Sequence, residues 1–164
     1  MDDWAEIVRD IISTTPQERL VDWKLVYREV LPTWVSPKSR IVVIGDAAHP
    51  FLPTSVQGAS QALEDGASIA ACLDIAGKDK IPEALRVFER IRHKRVFKAQ
   101  ATGPKQRDAW HKADFLKIHE TPEAVKLPWP QWILSFDAEA HVYNVYAETL
   151  EKLEAEKVAS QRST

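Results

Sequence analysis

The stretch from Arg40 to Gly77 sets one carboxylate and one helix start where they could act together. Four apolar β-formers, Ile41, Val42, Val43 and Ile44, run into Gly45-Asp46, and a loop with His49, Pro50 and Pro53 leads to Gln57-Gly58-Ala59 at the head of a long helical pattern. Gly45 permits a sharp backbone turn. Asp46 would then stand at the carboxyl end of a strand, where open α/β sheets bind their ligands. The first helical turn offers unpaired N–H groups and the positive end of the helix dipole. The pattern is a fixed acceptor facing a donor edge. Alone, a Gly-Asp at a strand end is more commonly a turn with a cap, so its meaning depends on what surrounds it.

Other chemistry-bearing residues point to structure. His93, His111, His119 and His141 lack metal-ligand spacing, and no metal site is expected; they read as scattered surface histidines. Cys72 lies mid-helix among alanines and reads as a small buried apolar residue. Arg86, Arg90, Lys94 and Lys98 form one solvated stripe of a helix, while Arg92 and Arg95 fall on its inward side. Buried arginines need partners, and Glu64-Asp65 on the preceding helix are the natural ones. The expected result is a clamp between two helices. No nucleophile or general acid or base is singled out as catalytic.

The elements that must position these residues are marked by punctuation. Trp4, Ile7, Val8, Ile11 and Ile12 recur at helical spacing after Asp2 and Asp3, and Thr15-Pro16-Gln17-Glu18 has the order of a capping box. Residues 22–30 look extended, and Pro32 and Pro37 bound a loop containing Trp34. The predicted elements are a strand at 41–44, a helix over 57–76 stopped by Gly77, a helix from Pro82 to about 101 broken by Gly103-Pro104, and a polar helix over 105–119. A last helix over 137–158 carries Val142, Val145, Leu150 and Leu153 inward, ahead of a frayed tail.

Composition bounds the class. The chain has 164 residues, 45% of them hydrophobic, with a net charge of −2 and one cysteine. One domain is expected, with no electrostatic footprint for nucleic acid, no membrane span, no disulfide framework and a cytoplasmic setting. The strand raises a difficulty, because a continuous apolar run is the pattern of a strand buried on both faces. Its backbone needs neighbours, and only residues 23–30 offer one. The expectation is that the chain is part of a larger unit.

The wording "GDAAHPFLPTSVQGASQALEDG" (45–66) resembles the second flavin-binding motif of the group A FAD-dependent aromatic-ring monooxygenases, most of all the salicylate hydroxylase-like proteins of the fungal branch. "WKLVYREVLPTWVSPKSRIVVIGD" (23–46), "FERIRHKRVFKAQATG" (88–103) and "WPQWILSFDAEAH" (129–141) are similar to the segments around that motif, so the likeness covers nearly the whole chain. It implies an α/β family fragment, mostly helical, corresponding to the C-terminal portion of a Rossmann-type FAD-binding fold. Within a single domain, 1–40 would be a residual substrate-side segment, 41–77 the second flavin motif and 78–164 the C-terminal helices. It further implies that Asp46 holds a ribityl hydroxyl, that Gly45 shapes the turn and that Pro53 stiffens the loop beside the ring. Gln57, Gly58 and Ala59 would approach the pyrimidine edge of the isoalloxazine. The family often has Gly-Gln-Gly where this chain has Val56-Gln57-Gly58.

A full family member hydroxylates an electron-rich ring of a small-molecule substrate, aromatic or polyketide-like, with FAD, NAD(P)H and O2, often in secondary metabolism. The five glycines, Gly45, Gly58, Gly66, Gly77 and Gly103, cannot form a GxGxxG turn, so the expected FAD site is partial. The expectation is a truncated or split monooxygenase, completed by a second chain that supplies the GxGxxG half or else self-associating. The alternative is a redox-inactive remnant, either a cofactor-free cyclase or isomerase or a non-catalytic interaction module.

Overall fold

The computed structural model describes residues 4–126 and 130–162. Six helices are found there: α1 (Glu6–Thr14), α2 (Gly58–Ala76), α3 (Ile81–Gln100), α4 (Thr102–Lys112), α5 (Gln131–Leu134) and α6 (Ala138–Arg162). The mostly helical expectation holds. α2, α3 and α6 pack pairwise, and their shared core gathers Cys72, Val87, Phe88, Val96, Val142 and Tyr146 around Trp34 and Ala48 from the preceding loops.

Local chemistry explains the helix ends. Gly77 closes α2 at φ +68°, its N–H bonded to Leu73 O at 3.0 Å, a conformation that suits glycine. Pro82 sits in the first turn of α3, where its missing N–H costs nothing. Pro104 would clash with the carbonyl of Gln100 if α3 continued, and α3 ends at that residue. In α4 the same proline occupies the tolerated first turn, so this helix starts at Thr102 and stops at Lys112 instead of spanning 105–119.

The strand expected at 41–44 does not form. Among the described residues there is no strand, only one isolated antiparallel bridge between Val35 and Val42. Its partner is also not the segment 23–30. Ser36 N–H donates to Ile41 O at 2.9 Å and Val43 N–H to Trp34 O at 3.0 Å, so the chain folds back on itself through a turn with Ser39 at φ +49°. Residues 21–29 carry no regular structure and are exposed. The apolar pattern marks residues that belong in a sheet, but none of the described residues supplies a neighbouring strand.

Smaller expectations divide. α1 forms at the expected place, yet none of its residues is buried, and Asp2 and Asp3 lie outside the described residues. The capping box at Thr15 yields only a 3₁₀ turn over Gln17–Arg19 with no side-chain cap. α6 continues to Arg162; Ser163 and Thr164 of the expected frayed tail lie outside the described residues. No described helix is long and apolar enough to cross a membrane.

Candidate functional site

The Gly45–Ala47 segment is a 3₁₀ turn that delivers Asp46 to the start of α2. Gly45 adopts φ +57°, and a Cβ there would meet Ala62 Cβ at 3.3 Å, so both conformation and close approach require glycine. The Ala48 and His49 N–H groups both donate to Gly45 O at 2.9 Å, closing the turn. Arg28 closes it from outside, donating to Asp46 O at 3.1 Å and Ala47 O at 2.8 Å. The Asp46 carboxylate is exposed, and its Oδ1 lies 3.9 Å from where a Cβ on Gly58 would stand. The acceptor and the helix start expected to act together are therefore neighbours.

The approach to α2 is built by a second 3₁₀ turn, Pro53–Ser55, ending in Val56 at φ +50°. Ser55 Oγ accepts the Gln57 N–H at 3.3 Å and donates to Leu52 O at 2.7 Å. α4 supports this turn from behind. Thr54 Oγ1 donates to Gly103 O at 3.3 Å, and a Cβ on Gly103 would come within 3.2 Å of Ser55 Cβ. The head of α2 has no side-chain cap. Gln57 is buried and its Oε1 has no partner, Gly58 is half-buried, and Ala59 and Pro53 are exposed. The site thus offers a carboxylate, open helix-start amides, an orphan carboxamide oxygen and the gap left by Gly58. Such a set places hydrogen-bond acceptors beside open donors at a small gap, an arrangement able to hold a polar ligand.

Behind the turn lies a buried charge network. Arg92 Nε donates to Asp65 Oδ1 at 2.9 Å, its Nη1 to Glu64 Oε2 at 2.5 Å, and its Nη2 to Gln61 Oε1 at 2.9 Å. Arg95 holds Glu64 with two bonds of 2.6 and 2.7 Å, reaches Trp132 O at 2.8 Å and stacks over Phe136 at 3.6 Å. The clamp expected between α2 and α3 is present with all four charged residues in place. Burial alone would push the Asp65 carboxyl up, but His49, the Gly45 amide and Arg92 together hold it below the usual carboxylate range. Glu64 is likewise held low, with Arg95 and Arg92 outweighing burial. Burial pushes the Cys72 thiol up to about 12, in keeping with a small apolar role.

Sequence reasoning missed the burial of Trp34, His93 and His141. Trp34 is almost fully buried, its ring against His49, Phe88 and His93 at 5.1, 6.1 and 5.5 Å, its backbone N–H donating to Glu89 Oε1 and its indole N–H to Leu31 O at 3.1 Å. His49 is buried on Asp65, a structural placement. His93 and His141 are half-buried instead of superficial, with His93 bonded to Leu31 O at 3.0 Å; His111 and His119 are exposed as expected. The two prolines around Trp34 mark a loop, and nothing in their spacing shows that the indole between them turns inward.

No protein-family profile matches the chain. A FAD-dependent monooxygenase of Aspergillus nanangensis, nanF, is 44% identical over 136 residues, which are 83% of this chain and 30% of that protein. The crystal structure of FqzB superimposes with a TM-score of 0.76 at 38% identity, over 88% of this chain and 34% of that one. The structure of CtdE in complex with FAD and a substrate matches with a TM-score of 0.68 at 42% identity, over 76% of this chain and 30% of that one. The chain thus spans about a third of the length of the proteins it matches.

Proposed function

Because the chain belongs to the fungal FAD-dependent monooxygenases, we propose that the Gly45–Ala59 region forms the ribityl and ring end of a FAD site in a secondary-metabolite hydroxylase. The observation that carries this reading is the Asp46 carboxylate beside the uncapped head of α2, at the gap left by Gly58. Asp46 accepts a hydrogen bond from a ribityl hydroxyl. The amides at Gly58 and Ala59 face the pyrimidine edge, where the positive end of the helix dipole favours electron density. Gln57 Oε1, buried and without a protein partner, accepts from a ring N–H. Pro53 and Val56 flank the ring and exclude water. Bound FAD, reduced by NAD(P)H, supplies the oxygen-activating chemistry that hydroxylates an electron-rich small molecule.

The phosphate-binding turn and the rest of the substrate cavity come from sequence outside these 164 residues, in the same polypeptide or a second one. Contacts at Asp46 and the helix start contribute roughly 1–3 kcal/mol each when charge-assisted, against at least ~4 kcal/mol of freedom lost on binding. The 164 residues by themselves are expected to bind FAD no more tightly than about the high micromolar range. Titration with FAD, followed by flavin fluorescence, tests this. Asp46→Ala should abolish the binding and His111→Ala, an exposed residue in the last turn of α4, should leave it unchanged. Binding unaffected by Asp46→Ala would refute the assignment.

A further inference from the structure

One carboxylate joins α3 to the turn that carries Asp46. Asp65 Oδ2 accepts the Gly45 N–H at 3.0 Å and His49 Nε2 at 2.6 Å, while Oδ1 accepts Arg92 Nε at 2.9 Å. Asp65, His49 and Arg92 are all fully buried, so water cannot stand in for any of them. Gly45 and His49 bracket Asp46, and both are tied to the same oxygen. The Asp46 carboxylate itself takes no part in this network.

Glu64, the neighbouring residue on α2, provides a natural contrast. It shares Arg92 and also holds Arg95, but it makes no bond to the Gly45–His49 turn. If the network only held α2 against α3, the two carboxylates would be equivalent. Their different connections separate clamping the helices from aiming the turn.

We propose that Asp65 is the positioning residue of the flavin site: its carboxylate, oriented by Arg92, fixes where the Gly45–His49 turn places Asp46 relative to the head of α2, and so sets flavin affinity. This rests on the reading of that turn as the ribityl side of the site. Removing the charge on Oδ2 lets the Gly45 N–H and the His49 ring leave their shared anchor. Asp46, at the apex of the turn, then samples positions from which it cannot meet the ribityl chain and the helix-start amides together.

The test compares Asp65→Asn with Glu64→Gln in the ¹⁵N-labelled 164-residue chain, titrated with FMN, which carries the ring and ribityl chain without adenosine. Both variants are measured at a temperature where circular dichroism shows them folded. In Asp65→Asn the Gly45 amide proton should move upfield, reporting loss of a bond to a charged acceptor, and FMN affinity should fall about tenfold further than in Glu64→Gln. Should Asp65→Asn not fold, Asp65→Glu keeps the charge but displaces it, and the same two changes are expected. An unmoved Gly45 amide, or equal FMN losses in the Asp65 and Glu64 variants at equal loss of thermal stability, overturns the proposal. A wild-type chain whose Asp46-turn and α2-head amides do not shift even at millimolar FMN overturns the flavin reading instead, and the Gly45 amide then decides by itself whether Asp65 holds the turn.

Discussion

At the residue scale, the buried Asp65 and the half-buried Glu64 make the protein sensitive to acid in a defined direction. Both carboxyls lie below their ordinary values of 3.8 and 4.5 in the folded chain. The unfolded chain therefore takes up more protons as pH drops through that region. The stability these groups contribute is fully present above pH 4.5 and is lost as pH falls through the lowered folded values. Thermal melts between pH 6 and pH 3 should show midpoints falling from about pH 4.5 downward. Glu64→Gln should lower the neutral plateau and flatten the acid limb; a variant with an unchanged acid limb would contradict the assignment. Helical spacing placed these partners correctly, because Arg92 and Arg95 on an inward face have to meet opposite charge. Which carboxylate also reached the Gly45 amide was not legible, since that bond spans 20 residues and depends on how the turn lies against α2.

At the element scale, α2 owes its position to a polar stripe. Gln61, Asp65, Ser68 and Cys72 recur along one buried face, polar toward the head of the helix and apolar toward its end. Ordinary amphipathic reasoning would turn that face to solvent. Arg92 reverses it by satisfying Gln61, Glu64 and Asp65 from α3. Arg92→Met is expected to destabilise the chain by about 3–5 kcal/mol, because the fully buried Asp65 loses its guanidinium partner and Glu64 keeps only Arg95. Urea denaturation followed by circular dichroism measures it, and a loss below about 1 kcal/mol would show that the pair is dispensable. The boundaries of α2 and α3 were readable because Gly77, Pro82 and Pro104 act through local sterics. The strand was misread because a β-element is completed by partners remote in sequence, and the apolar run 41–44 reports only a capacity to pair.

At the scale of the whole molecule, the face of α2 opposite that polar stripe is apolar and uncovered. Ala59, Leu63, Gly66 and Ala70 follow helical spacing and are exposed, Leu63 by 76%. Ile41, exposed by 69%, and Trp23, by 81%, add to the uncovered apolar side chains. An apolar helix face left in solvent is the pattern of a face that packs on a partner. In the relatives, two thirds of the polypeptide lies outside the matched region. The isolated 164-residue chain is expected to self-associate and to bind 1-anilinonaphthalene-8-sulfonate. Sedimentation velocity across a concentration series checks this. A monodisperse monomer that leaves the dye dark would mean that these faces are covered within the chain.

The sequence by itself determined what depends on neighbours along the chain. The glycine at the Asp46 turn, the helix stops at Gly77 and Gln100, the small residues at the head of α2 and the opposite charges on α2 and α3 all follow from local geometry or helical periodicity. Tertiary structure decided what depends on contacts between distant segments. It turned Trp34 inward against His49 and His93, paired Val42 with Val35 instead of with residues 23–30, and gave Asp65 two tasks where the pattern indicated one. Those outcomes rest on which buried polar groups find partners, and that is fixed only when the helices have packed.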